Sequence, residues 1–309
     1  MNDNHQLSVI IPASFRGLRL DSALSHMFPN YSRNRLQKWI RSGDVLVDGR
    51  ALRPRDIVSG GEQVRMEVVL ADENQLVPEE IDLDIIYEDE FILIINKPAG
   101  FVVHPGAGNP SGTLANALLH HAPGLSAIPR AGIVHRLDKD TSGLLVIAKQ
   151  LKSHASLVEQ LQQRTVQRKY IALVYGNVIA GGTVNAPLGR HPVDRKRMAV
   201  ISSGKTAVTH YRIRRNYGSC TLLDVQLETG RTHQIRVHMA HMKIPVVGDP
   251  VYGKRVRATG HSSLSILARF PRQALHASCL EIMHPDEAKK CEWTVPLPQD
   301  FQQLLDSLV

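Results

Sequence analysis

Residues 131–143 gather an unusual density of reactive side chains: His135, Arg136 and Lys139, the carboxylates of Asp138 and Asp140, and the hydroxyls of Thr141 and Ser142. These are the groups of nucleophilic and acid–base catalysis. They stand directly before the apolar run 144–148, which reads as a buried strand. A polar loop feeding a buried strand lies close to the core, so its charged groups must satisfy one another or face a cleft. Both a structural polar corner and a reactive site answer that description; the density of reactive groups favours the site.

Other chemistry-bearing patterns fail on inspection. Gly204-Lys205-Thr206 ends like a phosphate-binding loop, but Ala199 occupies the place of its first glycine. After Gly106-Ala107-Gly108 the next glycine, Gly112, comes one position late for a dinucleotide fingerprint, and Pro110 interrupts. His233, His238 and His241 have no His-Glu-x-x-His companion and share no clear helix face. The zinc signature of nucleobase deaminases is missing. No metal and no cofactor is therefore expected.

The elements that must position the loop are legible in outline. Residues 91–95 and 144–148 read as buried strands, and 170–175 and 221–227 alternate like half-buried ones. Helical patterns occur near 113–121, 153–164 and 233–242, the last carrying Ile235, Met239 and Met242 with Thr232 as its N-cap. Strands outnumber helices without alternating strictly with them, which predicts an α+β fold on a mostly antiparallel mixed sheet flanked by helices.

Nearer the N-terminus, Leu20, Leu24 and Met27 mark one helix, broken by Pro29-Asn30. Ser32 caps a second helix, with Leu36, Trp39 and Ile40 as its apolar stripe and Gly43 as its stop. Residues 45–47 with Asp48-Gly49 read as strand and hairpin turn, and another strand follows over 64–70. Arg33, Lys38 and Arg41 fall off the apolar stripe, exposed. The combination resembles the αL-type RNA-binding module of a small-subunit ribosomal protein. The domain reading is an RNA-binding domain at 1–75, an acidic linker at 76–90 and a catalytic domain at 91–309.

Charge supports a polyanionic partner. There are 37 Lys+Arg against 29 Asp+Glu, a formal charge of +8. The imbalance is clustered: residues 16–41 hold Arg16, Arg19, Arg33, Arg35, Lys38 and Arg41 against Asp21 alone, whereas 72–90 hold nine acids and no Lys or Arg. The three cysteines form no Cys-x-x-Cys pair, no apolar run approaches membrane-spanning length, and 1–6 lack the features of a secretory signal. A cytoplasmic location, with no membrane association and no obligate protein partner, is the expectation.

His135-Arg136-Leu137-Asp138 followed by Thr141-Ser142-Gly143 resembles the active-site motif of the RluA-type pseudouridine synthases. Arg168-Lys169-Tyr170 resembles the family's tyrosine motif, and residues 228–238, Glu-Thr-Gly-Arg-Thr-His-Gln-Ile-Arg-Val-His, its arginine-bearing motif. Asn96-Lys97-Pro98 and residues 247–253 also fit. The resemblance implies an isomerase that turns uridine into pseudouridine in a stem-loop of 23S ribosomal RNA, without cofactor. Asp138 is then the nucleophile, Arg231 its guanidinium partner, and Tyr170 the ring that stacks on the base. Arg136 fills the gap left by the flipped nucleotide, Ile235 walls the uracil, and His135 contacts substrate. Arg33, Lys38 and Arg41 hold phosphates. A non-catalytic RNA-binding or ribosome-assembly factor on the same fold accounts for the charge but not for Asp138, Tyr170 and Arg231 together. A metal-dependent nuclease lacks a ligand cluster.

Overall fold

The structure, a computed structural model, describes residues 4–28, 31, 33–69, 76–106, 108–253 and 263–308. It divides into two compact units, Met1–Gln75 and Leu76–Val309.

In the first unit, β1 (Asn4–Ile10) is followed by α1 (Leu20–Met27), α2 (Arg33–Ser42), β2 (Val45–Val47), β3 (Arg50–Ala51) and β4 (Gln63–Val69). The strands make one antiparallel sheet in the order β1-β4-β2-β3. Leu20 and Leu24 of α1 and Leu36, Trp39 and Ile40 of α2 bury against Val45, Val47, Val64 and Met66. Gly43 stops α2 with φ +86°, and Asp48 and Gly49, at φ 48° and 75°, form the tight turn that Asp-Gly predicts. The Pro29-Asn30 break and the Ser32 cap lie outside the described residues. The charge pattern differs from expectation at one point. Asp21 is buried, and Arg33 Nη2 donates to its Oδ1 at 2.7 Å while Arg19 and Gln37 bind the same carboxylate. Arg33 is therefore a tie between the two helices, although half its side chain remains exposed. Burial pushes the Asp21 carboxyl up, but Arg33, Gln37 and Arg19 outweigh it, so the group titrates below its ordinary value. Lys38 and Arg41 are exposed on α2, Arg41 donating to Gln37 Oε1.

The second unit carries, in chain order, β5 (Ile85–Glu88), β6 (Ile92–Lys97), α3 (Leu114–His121), β7 (Ser142–Ala148), α4 (Leu151–Gln162) and β8 (Gln167–Tyr175). There follow β9 (Gly182–Asn185), β10 (Leu188–Arg190), β11 (Met198–Val200), β12 (Val208–Asn216) and β13 (Cys220–Leu227). The unit closes with α5 (Gln234–His241), α6 (Ser263–Arg269), β14 (Leu275–Met283), β15 (Lys290–Thr294) and α7 (Gln299–Asp306). Among the described residues, nine strands form one sheet in the order β5-β6-β7-β14-β8-β13-β12-β9, with β15 on β14. All its pairings are antiparallel except β7 with β14, so the sheet is mixed and mostly antiparallel.

Two expectations need correction. Residues 76–90 were expected to be a linker, yet 85–88 are the edge strand of this sheet. Asp84 O accepts from the Asn96 amide, and Asp89 Oδ1 closes the turn by accepting from Phe91 and Ile92. The acidic composition reflects an exposed edge. Strand β8 is buried on both faces from Tyr170 onward. Tyr170, Ala172 and Val174 join the cluster with α3 and α5, whereas Ile171, Leu173 and Tyr175 pack with Leu267 and Phe301. A strand between β14 and β13 has no solvent face to leave polar.

The sheet divides at one place. On the edge of β14 away from β8, Ser142 and Gly143 of β7 pair first, and β15 takes over from Cys279. Beyond Gly143 the corresponding edge of β7 is met instead by residues just ahead of it in sequence: Ile133 bridges Ile147, and the Val146 amide donates to His135 Nε2 at 3.2 Å. The reactive loop is thus the tip of a hairpin folded onto β7. Gly143 is the pivot. Its φ is +113°, and an added Cβ would lie 2.2 Å from Ala277 O and 2.6 Å from Ala277 N.

Gly143→Ala is therefore expected to destabilise the second unit by about 3 kcal/mol or more, from strain plus a backbone clash. Denaturant unfolding of the purified variant checks this; a stability within about 0.5 kcal/mol of the parent would show that β14 yields easily.

Candidate active site

Asp138 sits at the turn of this hairpin, where the Thr141 amide donates to its carbonyl at 3.1 Å. Several buried groups fix the turn. Lys97, the last residue of β6, is 1% exposed, and its ammonium donates to the carbonyls of Pro98, Phe101 and Lys139 at 2.7, 2.9 and 2.8 Å. Burial pushes its pKa down to about 7, against the pull of Asp140 and Asp138. Gln273 Nε2 donates to Thr141 Oγ1 at 3.1 Å, and Ser142 Oγ lies 2.9 Å from Nδ1 of His276, a ring that burial holds neutral with a pKa of about 4. Arg272 Nη1 donates to Asp140 O at 3.2 Å while its other nitrogens grip Asp300 at 2.7 and 2.8 Å.

The Asp138 carboxylate is 16% exposed, and Arg236 Nη1 donates to its Oδ2 at 2.9 Å. Arg236 is itself anchored: Nε and Nη2 donate to the two oxygens of Asp249 at 2.7 and 2.9 Å. Asp249 Oδ1 also accepts from the amides of Val251 and Tyr252. Burial raises the Asp249 carboxyl, but Arg236 more than reverses this and holds it below the usual range. The Tyr252 ring lies 5.2 Å from the Arg236 guanidinium carbon, and its hydroxyl is 2.8 Å from His233 Nδ1. His233 Nε2 reaches to 3.8 Å from Asp138 Oδ1. Burial, aided by Arg236 and Arg136, keeps that histidine below its ordinary pKa despite Asp138.

This arrangement differs from the sequence-based expectation in three respects. The guanidinium on Asp138 belongs to Arg236. Arg231 lies exposed on the same cavity wall, its Nε donating to Thr206 O at 3.2 Å. Thr232 does not cap α5; the N-cap is His233, in the left-handed region at φ 56° without a side-chain cap bond. Gln234 organises the turn instead, its Oε1 accepting from the Arg231 amide and Thr229 Oγ1, its Nε2 donating to Val208 O and Thr209 Oγ1. His135 lines the cavity, but its Nε2 is held by the Val146 amide, and burial drives its pKa to about 3. Its main work is to substitute for a strand partner of β7.

The remaining expected residues do come together. Arg136, Asp138, Tyr170 and Ile235 all line one cavity of about 990 Å³, at the upper end of the ~300–1,000 Å³ usual for ligand sites, and His233, which the sequence did not single out as a substrate or catalytic residue, lines it too. Arg136 is exposed; Tyr170 and Ile235 are 6% and 4% exposed and belong to the main core cluster. Burial raises the Tyr170 phenol above its ordinary value, Arg168 opposing and Asp138 adding to the effect. Asp140 does not line the cavity. Six arginines do, against the carboxylates of Asp138 and Glu228, so the cavity suits an anionic ligand. Among the described residues no group of His, Cys, Asp and Glu is arranged to hold a metal ion. His238, one of the suggestive histidines, is instead locked between Thr209 Oγ1 and Ala186 O.

The same chain is similar to known proteins along nearly all its length. A family model described as RNA pseudouridylate synthase matches residues 91–241, and one described as S4 domain matches 18–64. Ribosomal large subunit pseudouridine synthase D of Xanthomonas campestris pv. campestris is 50% identical over 309 residues, spanning 99% of this chain and 93% of that protein. The protein of that name from Escherichia coli (strain K12) is 52% identical over 305 residues, spanning 97% and 94%. Among solved structures, Human RNA Pseudouridylate Synthase Domain Containing 4 superposes with a TM-score of 0.58 at 26% identity, covering 72% of this chain and 92% of that one. Half of all positions shared across whole chains, with the matched segment holding Asp138, Tyr170 and Arg236, leaves one assignment: the chain belongs to the RNA pseudouridylate synthase family.

Proposed function

We propose that this isomerase converts uridines to pseudouridine in a stem-loop of large-subunit (23S) ribosomal RNA, with Asp138 as nucleophile. The observation that carries the reading is the Asp138 carboxylate, aimed into an arginine-rich cavity and oriented by Arg236. The relatives named for the large ribosomal subunit support the substrate.

In the reaction the bond between uracil N1 and the sugar C1′ breaks, the base turns, and C5 joins C1′. A proton leaves C5 and N1 ends protonated, so nothing is oxidised or reduced. A carboxylate serves this chemistry by adding covalently or by stabilising charge as the glycosidic bond opens. Arg236 holds it at one angle, and Lys97 and Arg272 keep its loop from following the substrate. Tyr170 presents a ring on the cavity wall for the uracil to stack on. Its raised pKa makes it a phenol at neutral pH, hence a stacking surface and a poor base. Ile235 supplies the apolar wall. A base reaches such a cavity only when flipped out, at a cost of about a few kcal/mol. Arg136, planar, charged and exposed beside the cavity, offsets part of that by stacking in the vacated gap. The first unit, with Lys38, Arg41 and the exposed part of Arg33, holds backbone phosphates.

Three outcomes test this reading. Asp138→Asn is expected to abolish tritium release from uridine labelled at C5 while RNA affinity and fold are kept, and Asp140→Asn to retain turnover. Full activity in the first, or inactivity confined to the second, would refute the assignment. Lysine cannot reproduce the forked hydrogen bonds of Arg236, so Arg236→Lys should lower kcat by about two orders of magnitude and Arg231→Lys by less than about tenfold. Single-turnover rates decide, and a larger effect at Arg231 would restore it as the partner of Asp138. Finally, deleting residues 1–75 should leave 76–309 folded and flatten the plot of log affinity against log salt. The slope should fall by about 0.7–0.9 for each backbone phosphate that the truncated protein no longer neutralises; an unchanged slope would make the basic face of the first unit merely solvated.

A further inference from the structure

Arg168, near the start of β8, is 7% exposed and lines the cavity. Among the described residues its side chain makes no hydrogen bond or ion pair, and its Nε is enclosed without any partner. The other cavity arginines are accounted for. Arg236 has two carboxylates, Arg164 is 3.6 Å from Glu228, Arg231 has a carbonyl, and Arg130 and Arg136 are exposed. The neighbouring His135 is neutral and brings no negative charge. Space for the group has nonetheless been made: a Cβ on Gly230 would lie 2.5 Å from Arg168 Nη1, so glycine there lets the guanidinium lie against the turn.

We propose that Arg168 is an anion subsite that takes the phosphodiester flanking the uridine stacked on Tyr170. Arg168 and Tyr170 flank the exposed Lys169 on β8 and share one face, about 6.6–6.8 Å apart along the strand. That spacing is comparable with the separation of a base from its own backbone phosphate. A guanidinium stays protonated when buried, and one without a counter-ion costs stability in the free protein. Burial indeed depresses its affinity for the proton. Uracil oxygens are neutral and would leave the charge uncompensated, whereas a phosphodiester supplies a full negative charge and geometry for two parallel N–H···O bonds.

The test uses the full chain and short stem-loops in which the phosphodiester on the 5′ or the 3′ side of the target uridine is replaced by an uncharged methylphosphonate. For the wild type, one of the two replacements should lower kcat/KM by about 10- to 100-fold, the size of a missing charge-assisted hydrogen bond. In Arg168→Met the same replacement should cost less than about threefold, because the partner is already gone. Arg168→Met should also unfold at or above the wild-type temperature, since an unpaired buried charge has been removed. The proposal is overturned if neither replacement affects the wild type, if the replacement slows Arg168→Met as much as the wild type, or if the variant melts lower with phosphate discrimination intact. The wild-type comparison stands even where the variant does not fold.

Discussion

Arg236 is shared between two carboxylates, and the shape of the site follows from how unequal the two shares are. Asp249 takes two of the guanidinium nitrogens and is itself held by the amides of Val251 and Tyr252. That leaves Nη1 for Asp138. Leaving a donor of a buried guanidinium unmatched is costly, and breaking such a pair from one side typically costs about 3–5 kcal/mol. Asp138 is therefore oriented by a partner that has no alternative position. On the other side of the loop, the Lys97 ammonium and the Arg272–Asp300 pair hold the backbone at Lys139 and Asp140. A reactive carboxylate on a rigid turn loses little further freedom when substrate arrives.

The electrostatics of the two units are built differently. In the first unit the buried acid Asp21 gathers Arg19, Arg33 and Gln37 and so commits part of the basic cluster to holding α1 to α2. In the second, the positive charge is turned inward around a cavity. Surface charge of the first kind steers a polyanion and is screened by salt, whereas charge within a partly enclosed cavity acts at short range and is screened much less.

Much of this was legible in the sequence. The apolar stripes of α1 and α2, the Asp48-Gly49 turn and the buried strands β6 and β7 follow from periodicity and turn chemistry, whereas the loop carrying Asp138 stood out by its density of reactive side chains and by its resemblance to a family motif. Arg236 was not singled out, although it stands in the same motif as Arg231. The reason is physical. Residues 234–239 of α5 are buried all round, so the expected stripe of Ile235, Met239 and Met242 did not mark an inner face, and Met242 is 40% exposed. A buried arginine is recognisable only through its partner, and Asp249 comes thirteen residues later across a turn. Likewise His135 read as a substrate group because nothing local reveals that β7 lacks a neighbour along part of one edge. β14, which determines that, lies far along the chain.

That distance bears on how the protein comes to be made. Ser142 and His276 are separated by 134 positions, Asp138 and Arg236 by 98. Loop-closure entropy must be met before such pairings give anything back, so they form late. The first unit, by contrast, completes its sheet within residues 4–69. A chain emerging in order from its N-terminus thus carries an RNA-binding surface well before β14 exists to seat Gly143 and align Asp138. The order of synthesis sets the folding of the first unit ahead of the assembly of the Asp138 loop.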